Sequence, residues 1–317
     1  MKTDSKTVCE LRDVTYVYPG EASGRVPGGT PGRVPGGTSG SGGISGQTIP
    51  EASETVRPGT RPALSGVTLR VREGEWLALL GSNGSGKSTL AKHLNALLTP
   101  TQGDCTVFGL PTNDPLNVFA IRSAVSMVFQ NPENQIVGTV VEEDAAFGPE
   151  NQGIPTEEIG RRVENALRAA GLLAKRKKPT YTLSGGEKQR LAVAGALAMD
   201  TPCLVLDEPT AMLDPQGRRE LLDVLRSLHE GGKTIVSITH RLEEILHCDR
   251  AVVLVEGRIA WEGSIPGLFT HSDSFRKWGL DAPPLVSLWK ELRAETNLPL
   301  PEVPTLSGMT DSLCRLL

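Results

Sequence analysis

A glycine-rich segment, Gly81 to Ser88, contains residue types that can bind phosphate. It matches the pattern G-x-x-x-x-G-K-[ST], and it lies between an apolar run typical of a strand and an amphipathic run typical of a helix. Glycines let backbone N–H groups approach phosphate oxygens, and the positive end of the helix points to the same place. Lys87 adds a cation for the β- and γ-phosphates, and the Ser88 hydroxyl can ligate Mg²⁺. We predict an ATP site rather than a plain glycine-rich loop, with contacts from Gly81, Ser82, Asn83, Gly84, Ser85, Gly86, Lys87, Ser88 and Thr89.

Two adjacent carboxylates, Asp207 and Glu208, follow the apolar run CLVL. Such a pair is costly at the end of a buried strand unless a cation is near. Mg²⁺ held by Asp207, directly or through water, would supply that cation, and Glu208 could then polarise an attacking water. Taken alone, Asp-Glu-Pro could be an ordinary turn, but the phosphate segment upstream favours a role in phosphoryl transfer.

His240 ends another predicted strand, in the segment TIVSITH. Ligands of parallel sheets gather at the carboxyl ends of the strands. We therefore expect the imidazole to reach the same sheet edge as the carboxylates and to contact the γ-phosphate.

A second anion-binding helix start is predicted at Ser184, Gly185 and Gly186. One nucleotide does not need two such sites from one chain. The simplest arrangement is a dimer in which the Ser-Gly-Gly segment of each chain closes on the ATP of the other. The alternative is a plain N-cap, but two glycines would weaken the first turn with no gain in packing.

The elements that must position these residues are apolar strands alternating with helices, which indicates an α/β fold with a largely parallel sheet covered on both faces. Predicted strands include residues 8–18, CLVLDE, TIVSITH and RAVVLVEGRI. Between the first two strands, residues 20–61 contain a Gly/Pro/Ser-rich tandem repeat that cannot bury a core, so we predict a disordered insertion there.

Bulk properties narrow the function class. The chain has 317 residues and a net charge of −4, which argues against a nucleic-acid binder. Its five cysteines form no CxxC pair, which favours reduced thiols. The N-terminus has no apolar signal segment, and the apolar runs are too short to span a bilayer. If the protein acts at a membrane, another chain must cross it.

Together these segments resemble the nucleotide-binding domain of ATP-binding-cassette (ABC) transporters, over most of the chain outside residues 20–61 and the last few dozen residues. The family usually has Gln where this chain has Glu187. The resemblance implies Walker A at Gly81–Thr89, Walker B ending at Asp207, the catalytic base at Glu208, the signature at Leu183–Glu187 (Ser184, Gly185, Gly186 and Glu187), the D-loop at Leu213-Asp214 and the switch histidine at His240.

The same resemblance explains why the apolar run ending at Phe129 meets a row of amides. Gln130 corresponds to the Q-loop glutamine, whose neutral amide can ligate Mg²⁺ or hold the water and release it again. The residues expected to hold Mg²⁺ are therefore Ser88, Gln130 and Asp207. Tyr18 is similar to the aromatic residue that stacks on adenine; packing in the core is the alternative for it.

The implied fold is a P-loop NTPase of the ABC type, with a mixed sheet in a RecA-like core, an α-helical subdomain and an antiparallel β subdomain. We expect the ATPase domain at residues 1–20 and 62–270, with the helical subdomain at about 131–183. The insertion would occupy 21–61 and a C-terminal helical extension 271–317, which would either help dimerise or pack on the domain.

The segments FQNPENQ, KHLNALLTPTQG and MLDPQGRRE are closest to the energy-coupling factor group of importers. This implies a homo- or heterodimer with a second ABC ATPase, a transmembrane coupling subunit, a substrate-binding membrane subunit and no nucleic acid. The chain would be peripheral on the cytoplasmic face of the membrane, and the cargo a vitamin or a cobalt or nickel ion.

Two alternatives belong to other classes. A soluble ABC-type ATPase acting on nucleic acid or ribosomes would need a long heptad coiled coil or two cassettes, and neither is visible. A small-molecule kinase would leave Ser184–Glu187 unexplained.

Overall fold

The computed structural model describes residues 6–19, 61–296 and 299–314. Most of the predicted insertion at 21–61 lies outside these ranges. Ten strands occur in the described residues. In chain order, β1 to β10 are Thr7–Tyr16, Leu64–Arg72, Trp76–Leu80, Gln102–Val107, Leu110–Pro111, Val125–Val128, Cys203–Asp207, Thr234–Ile238, Arg250–Val255 and Arg258–Ser264.

A six-stranded sheet forms the centre, in the order β10-β9-β3-β8-β7-β6. Its strands are parallel except β10, which runs antiparallel to β9, so the predicted mixed sheet is confirmed. Every residue of β3, β7 and β8 is buried. These strands are covered on both faces, which is why their sequences are continuous apolar runs rather than alternating ones.

The apolar pattern of the segment RAVVLVEGRI predicts one strand, and this prediction is wrong. The segment contains β9, a turn and the start of β10. The turn residues Glu256 and Gly257 have φ angles of 51° and 77°, the left-handed conformation that tight two-residue hairpins require. A Glu-Gly turn therefore reverses the chain where the hydrophobic pattern alone suggested continuation.

A second sheet of four strands has the order β2-β1-β4-β5, and its strands are antiparallel. It corresponds to the antiparallel β subdomain that we predicted. Side chains alternate along β3 between two apolar cores. Leu77 and Leu79 pack in the core shared with the antiparallel sheet, and Trp76 and Leu80 pack in the core on the opposite face. The central sheet is therefore the layer from which both halves of the domain are built.

Ten α-helices accompany the strands in the described residues. In chain order, α1 to α10 are Lys87–Leu94, Val118–Ala124, Val141–Asn151, Thr156–Ala169, Gly185–Ala198, Pro215–Glu230, Ile265–Thr270, Phe275–Trp278, Pro284–Glu295 and Leu306–Cys314. A third apolar core joins α3 and α4 to one face of α5, through side chains such as Val141, Leu167 and Leu191. The helical region that we predicted over 131–183 is thus packed on the helix that follows it.

The C-terminal segment contains α8, α9 and α10. Trp289 and Met309 are buried in the same core as Trp76 and Leu80. The Trp289 indole Nε1 donates to the Pro301 carbonyl at 2.8 Å. This segment therefore packs on the domain, which is one of the two roles considered for it. Within the ranges that the structure describes, no helix has the length and apolar character needed to cross a bilayer.

Candidate functional site

The glycine-rich loop joins the end of β3 to the start of α1. Gly81 and Gly86 have φ angles of 142° and 104°, which side chains rarely adopt. A Cβ on Gly81 would overlap the Leu254 carbonyl oxygen, and one on Gly86 would lie 2.5 Å from the Ala63 carbonyl oxygen. Glycine is thus required at both positions by the backbone angle and by the close approach of another chain segment.

Lys87 is buried beneath this loop. Its Nζ donates to the carbonyl oxygens of Gly81 at 2.9 Å and Ser82 at 2.8 Å. Burial lowers the pKa of Lys87, and the nearby carboxylates of Glu208 and Asp207 oppose that shift. The loop therefore surrounds a cation, which is the electrostatic setting that a phosphate anion requires.

Ser85 supplies a test of whether an anion fits the loop. Its Oγ is buried and has no hydrogen-bond partner among the described residues. A buried hydroxyl without a partner is uncommon, and a phosphate oxygen would satisfy it. The Lys87 charge and the unpartnered Ser85 hydroxyl thus fit the predicted phosphate anion.

Asp207 is the last residue of β7 and is buried. Burial raises the pKa of its carboxyl group, while a hydrogen bond with the Ser88 side chain opposes the shift. Carboxylate and hydroxyl oxygens are ligands that Mg²⁺ prefers. No group of three or more His, Cys, Asp or Glu side chains suited to a metal occurs in the described part of the chain. A magnesium ion here would therefore need phosphate or water oxygens as further ligands.

Gln130, Glu208 and His240 come together at one edge of the central sheet. The Gln130 amide Nε2 donates to Glu208 Oε2 at 3.2 Å, and His240 Nδ1 lies 3.4 Å from Glu208 Oε1. The three residues follow the adjacent parallel strands β6, β7 and β8. Parallel register brings the strand tips level, so residues distant in sequence converge on the Glu208 carboxylate.

Glu208 itself has a φ of 49° and its backbone N–H donates to the Ile238 carbonyl at 3.0 Å. A left-handed glutamate is uncommon, and such backbone strain concentrates at functional sites. This left-handed residue carries the carboxylate that contacts Gln130 and His240.

The predicted second anion site is the N-terminus of α5, where Ser184 is the N-cap. The Ser184 Oγ accepts from the Glu187 N–H at 3.3 Å, and Glu187 Oε2 accepts from the Ser184 N–H at 3.0 Å. This reciprocal capping box satisfies two backbone donors that would otherwise be free. The plain cap that we considered as an alternative is thus present, although it leaves the N–H groups of Gly185 and Gly186 outside the box.

An open cavity lies beside this helix start and is lined by Lys175, Ser184, Gly186, Glu187 and Asp214, among others. Asp214 caps α6 by accepting from the Gly217 N–H at 2.9 Å. The residues of the phosphate loop do not line this cavity. The Ser184 helix start and the Lys87 loop therefore do not share this cavity.

Glu187 also contacts the Lys175 ammonium. This contact and the hydrogen bond from the Ser184 N–H lower the pKa of the Glu187 carboxyl group. A lowered folded pKa means that this stabilisation is complete above the unfolded value of 4.5 and disappears as the pH falls through the lower folded value. At neutral pH the ion pair and the capping box therefore both stabilise the start of α5.

We expect Glu187→Gln to lower the free energy of unfolding by less than ~1 kcal/mol at pH 7.5, because Gln preserves the box and removes only a partly exposed ion pair. Glu187→Ala removes both and should cost about 1 kcal/mol more. Thermal unfolding of the two variants measures the difference. Equal losses for Gln and Ala would show that the charge, not the cap, stabilises this helix start.

Tyr18 lies two residues beyond the end of β1 rather than in the strand itself. Its hydroxyl is 3.0 Å from Thr89 Oγ1, and its ring meets Tyr16 edge-on at a centroid distance of 5.0 Å. Tyr18 is thus half-buried next to the first turn of α1. This position is compatible with both alternatives, stacking on adenine and packing in the core.

Glu244 is a polar residue near the site that no sequence pattern predicted. It is buried and accepts hydrogen bonds from Thr210 and Thr239, which follow β7 and β8. Two consecutive glutamates, Glu243 and Glu244, occur in the sequence, but Glu243 is exposed. No local pattern distinguishes the buried member of the pair, because its partners come from separate loops.

The chain is similar to proteins of known family over most of its length. A profile described as ABC transporter matches residues 64–211. Energy-coupling factor transporter ATP-binding protein EcfA1 of Symbiobacterium thermophilum is 55% identical over 258 residues, which are 81% of this chain and 90% of that protein.

Two solved structures are also similar. One is cbiO1 from Clostridium perfringens, described as part of the ABC transporter complex cbiONQ. It has a TM-score of 0.65 and 31% identity, and the match covers 90% of this chain and 99% of that one. The other is the ATP-binding cassette MJ0796 in a dimeric post-hydrolysis state bound to ADP and Pi. Its TM-score is 0.64 at 26% identity, over 81% of this chain and 98% of that one.

Proposed function

Because this chain belongs to the energy-coupling factor ATP-binding proteins of the ABC transporter family, we propose that it hydrolyses ATP at a dimer interface to drive uptake of a vitamin or a transition-metal ion. As a member of this family, the chain is an ATP hydrolase coupled to transmembrane transport. The observation that carries the proposal is the convergence of Gln130 and His240 on Glu208, beside a buried Lys87 in a phosphate-binding loop.

In this proposal each residue has a separate task. The Lys87 ammonium and the backbone N–H groups from Gly81 to Thr89 bind the triphosphate, and the Tyr18 ring stacks on adenine. Glu208 accepts the proton of the attacking water, which Gln130 can hold, and His240 contacts the γ-phosphate. Ser88, Gln130 and Asp207 would hold Mg²⁺, which supplies neutralising charge for the phosphate oxygens when bound.

The dimer is supported by the dimeric form of the similar cassette. It is also supported by the cavity at Ser184, whose lining does not include the phosphate loop. We propose that Ser184, Gly185, Gly186 and Glu187 of one chain close over the ATP on the loop of its partner, with Asp214 at the interface. The second ATPase chain would be either identical or related.

The membrane partners are inferred from the relatives. Similar proteins are named as subunits of energy-coupling factor and cbiONQ transporters. We propose a transmembrane coupling subunit and a substrate-binding membrane subunit as partners, with this chain peripheral on the cytoplasmic face. Substrate choice would then reside in the substrate-binding subunit.

Affinity purification of the tagged full-length chain from detergent-solubilised membranes tests this proposal. We expect the chain to retain at least two integral membrane proteins, and uptake by reconstituted complexes to require ATP. A chain that purifies without membrane proteins and is retained on RNA or DNA at moderate salt would instead support the alternative of an ATPase acting on nucleic acid.

A further inference from the structure

A buried carboxylate behind the site, Glu244, connects the loops that hold the proposed reacting groups. Its side chain is 5% exposed. Oε1 accepts from the Thr210 hydroxyl at 2.6 Å, and Oε2 accepts from the Thr239 hydroxyl at 2.7 Å. Both threonines are themselves buried. Each carboxylate oxygen therefore binds a different loop of the central sheet.

Two arginines compensate the charge of this carboxylate. Arg218 Nε, from α6, lies 3.5 Å from Glu244 Oε1, and Arg241 Nε lies 3.9 Å from the same oxygen. Neither Nε has a hydrogen-bond partner among the described residues. A buried carboxylate is tolerated when it is paired and hydrogen-bonded, and removing it would leave these groups uncompensated.

The partners of Glu244 are neighbours of the functional residues in sequence. Thr210 lies two residues after Glu208, and Thr239 and Arg241 lie on either side of His240. The Arg241 N–H donates to Thr239 Oγ1 at 3.1 Å, and that same hydroxyl donates to Glu244. His240 thus lies between two residues whose positions depend on one carboxylate.

The His240 side chain has little support of its own. It is 51% exposed, and its Nδ1 lies 3.4 Å from Glu208 Oε1. Its position is therefore set mainly by the backbone of its turn. Arg218 extends the network further, because its Nη2 donates to the carbonyl of Leu213 at 3.5 Å, next to Asp214.

We propose that Glu244 is a positioning residue for ATP hydrolysis: it holds the turn after β7 and the turn that carries His240 in one register, so that His240 meets Glu208. The proposal rests on the roles given above to Glu208 and His240. A displacement of a reacting group by about 1 Å can cost on the order of 100-fold in rate, so loss of this register should appear in catalysis before it appears in binding.

The test is Glu244→Gln in the full-length chain, purified with the membrane subunits that accompany it. Gln keeps the volume and one acceptor oxygen but removes the charge that faces two arginines. We expect kcat to fall by on the order of 10- to 100-fold, with the KM for ATP within about threefold of the wild type. The matched control is Glu243→Gln, at the neighbouring exposed glutamate, which should leave both constants unchanged.

Thr239→Val provides a second, milder variant in case Glu244→Gln folds poorly. It removes one hydrogen bond to Glu244 and the bond from Arg241, and it should give the same separation of kcat from KM. A variant whose thermal stability falls while kcat per folded molecule stays at the wild-type value would overturn the proposal. A raised KM with unchanged kcat would also overturn it.

A double variant shows whether Glu244 acts through His240. If it does, Glu244→Gln combined with His240→Ala should be no slower than His240→Ala alone. Multiplicative losses would contradict this coupling. Wild-type turnover in both Glu208→Gln and His240→Ala would contradict the proposed function itself. Slow turnover in these two variants, with wild-type turnover in Glu244→Gln, would contradict only the positioning role of Glu244.

Discussion

Glu208→Gln should lower kcat for ATP hydrolysis by about 10²- to 10⁴-fold, the range expected when a general base is removed, while ATP binding is retained. Gln has almost the same shape and can still meet Gln130 and His240, but its neutral amide cannot accept the proton of water. ATP should therefore remain on the protein and the closed dimer should accumulate. Steady-state ATPase kinetics and size-exclusion chromatography with ATP measure the two effects.

The control for this substitution is Glu256→Gln. Glu256 has a φ of 51°, nearly the same as the 49° of Glu208, but its side chain is exposed and pairs with Arg61. It therefore reproduces any backbone effect of the change without altering the site. Turnover of Glu208→Gln above about a tenth of the wild-type rate would exclude Glu208 as the base.

Lys87→Ala should weaken ATP binding by on the order of 100-fold, because a charge-assisted hydrogen bond to a buried phosphate contributes about 1.5–3 kcal/mol. Fluorescence titration with a labelled ATP analogue, or calorimetry, measures this affinity. Lys178→Ala, at an exposed lysine outside the loop, is the control and should bind ATP normally. An unchanged affinity in Lys87→Ala would contradict the phosphate loop as the binding site.

The melting temperature of Lys87→Ala shows whether weak binding results from unfolding. Because burial lowers this pKa, the charged form is less favourable in the folded protein than in the unfolded chain, and the destabilisation grows as pH falls through the folded value. Removing the ammonium therefore removes a cost at neutral pH, although two hydrogen bonds to loop carbonyls are also lost. We expect the melting temperature to change by only a few degrees.

The phosphate loop and the sheet edge could be predicted from sequence because their determinants are local. Glycine at positions 81 and 86, Lys87 and a flanking strand and helix are contiguous, and each has a specific physical reason to be there. Gln130, Glu208 and His240 each follow an apolar strand, and parallel strands end at a common edge. The meeting of Glu208 and His240 therefore followed from local patterns, whereas the role of Gln130 came from the family resemblance.

Other features depended on partners that no local pattern specifies. The β9–β10 hairpin turns on two left-handed residues within an apolar run, and Tyr18 is placed by a hydroxyl 71 residues away. The burial of Glu244 rather than Glu243 was decided by two threonine hydroxyls and two guanidinium groups brought together by folding.

The sequence by itself thus determined the chemistry of this protein, because residue types and their spacing along strands and turns are local properties. The tertiary structure decided which polar groups are buried and in what register the strand tips meet. Hydrogen bonds and charge compensation between distant segments fix that register, and these depend on distances that only the folded chain defines.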